Sequence, residues 1–124
     1  RTYALDRIRD LKEAEGRTST PPGFDAVIYF KHSIGIIAPE GTPSLIKLAV
    51  QKTQAQYLIT QPWHDSQNIE SEDEDRVVFS FRLHPTYEFK SMVLSLGKDG
   101  EIVEPLSLRD ELSRELQQMI GKYR

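Results

Sequence analysis

Arg76-Val77-Val78-Phe79-Ser80-Phe81-Arg82-Leu83 alternates without a break. Val77, Phe79, Phe81 and Leu83 fall on one side, Ser80 and Arg82 on the other. Only an extended backbone, with its period of two, puts four large apolar groups on one face this way. This strand is therefore half-buried, and its neighbours can be read outward from it. Upstream, Ser71 to Asp75 is an acidic turn, and Gln67 to Glu70 before it reads as a second, weaker strand. Downstream, Pro85 and Thr86 open a helix, since proline is tolerated in a first turn. Phe89, Met92, Val93 and Leu96 then follow at i, i+3, i+4, i+7, the spacing of an amphipathic helix. Gly97 is placed to end it in the left-handed conformation. Asp99-Gly100 turns the chain into a short strand, Glu101 to Glu104, which Pro105 stops.

Farther upstream, Leu45 to Val50 reads as a strand with Ile46, Leu48 and Val50 on one face. Lys52 to Thr60 reads as a helix with Ala55, Leu58 and Ile59 inward. Gln61-Pro62 ends it, because the residue before proline is pushed away from helical angles. From Leu45 to Glu104 the order is strand, helix, strand, strand, helix, strand. That is the split βαβ, ferredoxin-like α+β arrangement, whose usual result is a four-stranded antiparallel sheet with both helices on one face.

A C-terminal helix is added to this unit. Ser107 and Asp110 form a near capping box, and Leu108, Leu112, Leu116, Met119 and Tyr123 make one apolar stripe. Such a helix packs beside the domain or reaches a partner chain. At the other end, Arg1 to Ile8 alternates like a strand, and a polar stretch from Arg9 to Ser19 follows. Thr20-Pro21-Pro22-Gly23 breaks the chain. Phe24, Val27 and Ile28 suggest one or two helical turns, and Pro39-Glu40-Gly41-Thr42-Pro43 is a second breaker. The expected division is a strand and loop over 1–20, a linker with a short helix over 21–43, and a compact domain over 44–124.

The 124 residues carry a formal net charge of −3 and no cysteine. A negative chain lacks the protein-wide basic face that phosphate binding requires, though a local basic pocket remains open. Without cysteine there are no disulfides, thiol nucleophiles or thiolate metal sites. No apolar run approaches the roughly 20 residues needed to span a bilayer, so no membrane association and a cytoplasmic location are expected. The chain starts at Arg1 without methionine and opens into a strand pattern, as a piece of a longer protein would. No internal repeat is visible.

The residues that could carry chemistry are few. Glu70, Glu72, Asp73, Glu74 and Asp75 are dense in carboxylate but lack the glycine a calcium loop needs, and read as a solvated hairpin loop. His64-Asp65-Ser66 has the residue types of a hydrolase triad, yet adjacent residues point apart and triads are assembled from separated segments. His32 and His84 have no metal-ligand spacing, and no metal or cofactor is expected. Trp63 reads as a lid on the core. Lys47, Lys52, Arg82 and Lys90 fall on no evident patch. Arg1 and Arg7, six apart on a strand, would project from one face, which suits phosphate or carboxylate. The same two arginines could equally lie over Tyr3 and Leu5 with their heads in water.

Several stretches resemble a known family. Arg1-Thr2-Tyr3-Ala4-Leu5-Asp6-Arg7-Ile8 resembles the closing strand of the WYL domain of bacterial transcription regulators. Tyr29-Phe30-Lys31-His32-Ser33-Ile34-Gly35-Ile36 resembles the linker that follows. Leu83-His84-Pro85-Thr86-Tyr87-Glu88-Phe89, Leu94-Ser95-Leu96-Gly97 and Val103 to Leu112 resemble the WYL C-terminal extension. The resemblance implies an effector-sensing and dimerising module, non-catalytic, in a helix-turn-helix regulator. It implies a homodimer, and a nucleic acid or small anionic effector bound through the full WYL domain. Operator DNA would be bound only by an N-terminal domain that these residues do not include. Arg1 and Arg7 match the family's basic ligand pocket. The Trp-Tyr-Leu signature itself is not among these residues.

Two other classes compete. A stand-alone small-molecule-binding domain of ferredoxin-like fold typically has glycine at its first strand–helix turn, where this chain has Val50-Gln51-Lys52. A small hydrolase of the acylphosphatase kind needs a phosphate-cradling loop with an arginine after its first strand, and no such loop is present. Fold alone decides none of this.

Overall fold

The computed structural model describes residues 3–124. Its regular elements are a short helix α1 (Ala26–Tyr29), then β1 (Ser44–Gln51), α2 (Lys52–Thr60), β2 (Asn68–Glu72), β3 (Arg76–Leu83), α3 (Tyr87–Ser95), β4 (Gly100–Glu104) and α4 (Leu106–Lys122). The sheet order is β2-β3-β1-β4 with every pair antiparallel. This is the ferredoxin-like order read from the sequence.

Register explains why the core forms where it does. Ile46 lies opposite Phe81, Leu48 opposite Phe79 and Val50 opposite Val77. All six are fully buried. They line the face covered by α2 and α3, whose Ala55, Leu58, Phe89 and Val93 join the same cluster, as do Leu83, Ile102, Leu108 and Leu112. Each fully buried Phe or Leu contributes roughly 1.5–3 kcal/mol through removal of apolar surface from water. Trp63 closes one end of this core, stacked on Phe81 at 6.0 Å and edge-on to Phe89 at 6.3 Å. It is the lid that its loop position suggested.

Caps and turns hold the elements in place. The Thr86 hydroxyl accepts the Phe89 N–H and starts α3. Gly97, at φ +58°, makes the left-handed exit beyond α3 that its place in the sequence required. Asp73 Oδ1 accepts the N–H groups of Asp75 and Arg76 at 2.8 and 2.9 Å. Those two bonds shape the β2–β3 hairpin and hold the Asp73 carboxyl below its ordinary value. Of the acidic run, Asp73, Glu74 and Asp75 form the hairpin turn, whereas Glu70 and Glu72 stand on β2 and are not loop residues.

Two expectations are corrected. Residues 3–8 do not extend as a strand, because Leu5–Arg7 is a 3-10 turn, with Arg7 N–H donating to Ala4 O and Ile8 N–H to Leu5 O. A lone strand must find a neighbour for its backbone groups, and among the described residues nothing pairs with this segment. Ser107 does not cap the final helix. Pro105 is the N-cap residue, its carbonyl accepting the Arg109 N–H, and no side chain caps the end.

Candidate functional site

Arg7 sits on the exposed 3-10 turn and borders a shallow depression shared with Tyr3, Ala4, Ile8 and Arg9. Arg1 lies outside the described residues. The strand geometry that would have aimed Arg1 and Arg7 the same way does not hold over 3–8. Instead Arg7 and Arg9 border one depression. Arg9 went unnoticed in the sequence because a strand reading counted only the positions six apart.

His64 and Ser66 do come together, but for another purpose. The Ser66 N–H donates to His64 Nδ1 at 3.1 Å, and Ser66 Oγ lies 2.7 Å from the same nitrogen while accepting the Arg82 N–H. His64 Nε2 lies 2.8 Å from the Lys31 carbonyl, which can only accept. The ring is therefore the Nε2–H tautomer, with both nitrogens bound. In a nucleophilic triad the far nitrogen faces a carboxylate; here it faces a backbone carbonyl.

The open face of the sheet is stitched by ion pairs. Lys47 reaches over Ser80 to Glu70 at 2.8 Å on one side and to Glu104 at 3.6 Å on the other. The hydrogen bond to Glu70 is the main reason its ammonium titrates above the ordinary lysine value. Glu101 holds Arg109 at 2.8 Å and Arg76 at 2.6 Å, and these two guanidinium groups lower its carboxyl value. Lys52 pairs with Glu72 at the hairpin. Lys47, Lys52 and Lys90 are thus engaged in separate ion pairs, Arg82 is exposed, and the large aromatic groups of β3 lie on the covered face. The open face is neither a basic patch nor a stacking platform for bases.

The remaining feature is α4. Leu108 and Leu112 are buried, at 3% and 5% exposure, beside β4 and α3. Arg109 donates to the Ile102 carbonyl at the outer edge of β4, and Lys90 of α3 clamps Glu111 at 2.6 Å. Past Glu115, which Lys90 also reaches at 3.7 Å, the apolar side chains of the helix are exposed. Leu116 and Met119 are 44% and 45% exposed, Ile120 is 51% and Tyr123 90%. Val93, Leu94, Ile102, Leu112 and Leu116 border an open cleft of about 240 Å³ where α4 departs. α1 likewise leaves Val27 and Ile28 in solvent.

The architecture is a ferredoxin-like sheet followed by a C-terminal helix whose outer apolar side chains are exposed. The WCX domain family model matches residues 42–120, well over half of the chain, and the chain belongs to that family. The WCX domain is a C-terminal domain associated with WYL-type regulators. No curated protein matches the sequence. No helix among the described residues is long and apolar enough to cross a membrane.

Proposed function

We propose that this chain is the regulatory C-terminal part of a bacterial, cytoplasmic WYL-type transcription regulator, and that its own tasks are dimerisation and response to an effector bound upstream. It does no chemistry on this reading. The observation that carries it is the apolar stripe of α4, anchored by Leu108 and Leu112 and then laid bare over Leu116, Met119, Ile120 and Tyr123. A helix held so firmly at one end, with an apolar surface continuing beyond the domain, is suited to a second copy. The family match supports the regulatory part. Arg7, with Arg9 beside it and Arg1 nearby in sequence, remains the candidate contact for a nucleic acid or small anionic effector.

Light scattering on residues 1–124, with and without a short single-stranded oligonucleotide, tests the proposal. A dimer is expected. If it also binds the oligonucleotide, and Arg1→Ala with Arg7→Ala removes that binding, these residues share in sensing. A dimer that ignores the oligonucleotide confines the role to dimerisation. A strict monomer at millimolar concentration would overturn the dimer reading.

A further inference from the structure

The chain first becomes half-buried at His32, outside the matched family segment, and stays so through Ile34. All described residues before it are exposed. Here three carbonyls of the linker meet three donors of the domain. His64 Nε2–H reaches Lys31 O at 2.8 Å, the His84 N–H reaches His32 O at 2.7 Å, and the Thr86 hydroxyl reaches Ile34 O at 3.3 Å. The Ile34 side chain packs against the core. The donors come from the loop after α2 and from the β3–α3 junction, so the strap crosses two parts of the domain.

One group opposes this closure. Glu88, in the first turn of α3, lies directly under Gly35. A Cβ built on Gly35 would come within 2.7 Å of Glu88 Cγ and 2.9 Å of its Oε1. Glu88 Oε2 is buried and has no hydrogen-bond partner among the described residues. An unpaired buried carboxyl oxygen is costly, and Gly35 of the strap packs against that same carboxyl group. Gly35 has φ +85° and no side chain, which is what lets the strap come down at all.

We propose that residues 31–36 are a releasable strap, latched by the donors of His64, His84 and Thr86 and loaded against closure by the orphaned carboxylate of Glu88. Closed, the strap fixes the point at which the exposed segment before it leaves the domain; open, it frees that point. The latch does not depend on the regulatory reading. Its use as a relay from an upstream effector site does rest on that reading.

Hydrogen exchange of the His84 amide in the 1–124 chain, followed by NMR, measures strap opening directly, because that N–H is bonded only to the strap. The Phe79 amide reports global unfolding. His64→Ala should speed exchange at His84 roughly tenfold, about one hydrogen bond's worth, with Phe79 unchanged. His64→Gln keeps a donor at the Nε2 position and should stay near wild type. Glu88→Met removes the unpaired oxygen and should slow exchange at His84 roughly tenfold. Ile34→Ala loosens the strap without touching the domain side and should speed it. The proposal is overturned if His84 exchanges at the Phe79 rate in every variant, or if Glu88→Met speeds His84 exchange. These measurements need neither a dimer nor an effector, so their failure leaves the regulatory reading standing, and a strict monomer would leave the strap standing.

Discussion

Phe81 shows how one side chain ties the layers together. It lies on β3 opposite Ile46, under the Trp63 ring and 5.7 Å from the Phe89 ring. Phe81→Ala leaves a cavity among three elements and should cost about 3–5 kcal/mol, seen as a lower urea midpoint together with a loss of Trp63 fluorescence change on folding. Glu101 makes a weaker, pH-dependent contribution. Its carboxyl is held below the ordinary glutamate value of 4.5, first by Arg109 and then by Arg76. The stability it adds is therefore present above pH 4.5 and is lost as pH falls through its lower folded value. With nearly half of its side chain in solvent, the amount is below about 1 kcal/mol. The difference in urea midpoint between wild type and Glu101→Gln should be measurable at pH 6 and should close under acid. A difference that grew under acid would contradict the pairing.

The final helix divides into two halves with different loads. Leu112 is buried between β4 and α3, whereas Leu116, one turn on, is 44% exposed. Leu112→Ala should cost about 2–4 kcal/mol of unfolding free energy. Leu116→Ala should cost under about 1 kcal/mol in the monomer. If the outer half of α4 is the dimer surface, Met119→Lys with Ile120→Lys should shift light scattering to the monomer while leaving the circular dichroism unchanged. The clamp from α3 bears on the same helix. Lys90 is raised above its ordinary value by its hydrogen bond to Glu111 and by Glu115. It thus stabilises the α3–α4 contact fully below pH 10.5 and loses that effect only as pH rises through its higher folded value. Across the physiological range this clamp is constant, and Lys90→Met should weaken it equally at pH 6 and pH 8.

At the scale of the whole molecule, the folding unit extends beyond the matched segment. Residues 3–31 are exposed throughout, but Ile34 and the carbonyls around it are part of the domain. Removing residues 1–30 should leave the thermal midpoint nearly unchanged. Removing 1–41 takes away the strap, leaves the donors of His64, His84 and Thr86 to water and exposes the surface under Ile34, and should lower the midpoint by several degrees. Equal midpoints for the two truncations would mean that the strap contributes nothing to the fold.

The sheet and its two covering helices were legible because their signals are local. Arg76–Leu83 and Lys52–Thr60 stand where the period of two, the helical spacing and Pro62 placed them. Family membership was legible for the same reason, as short patterns in a fixed order. The start of α4 was misread at Ser107 because the capping pattern two residues on obscured Pro105 itself. The segment around Leu5 alternates like a strand, but alternation supplies only a face, and without a pairing neighbour its backbone closes on itself in a turn. His32 and His84 looked isolated and His64 was weighed only beside Asp65 and Ser66, since nothing in their spacing says that one ring and one amide meet the same strap. Sequence determined which residues could be buried and in what periodicity, because those choices depend on neighbours a few residues away. Only the tertiary structure decided what the polar groups do: Lys47 reaching across Ser80, Glu101 between two arginines, and Glu88 orphaned beneath Gly35. Those depend on distances between segments far apart in the chain, which close only when the apolar core has formed.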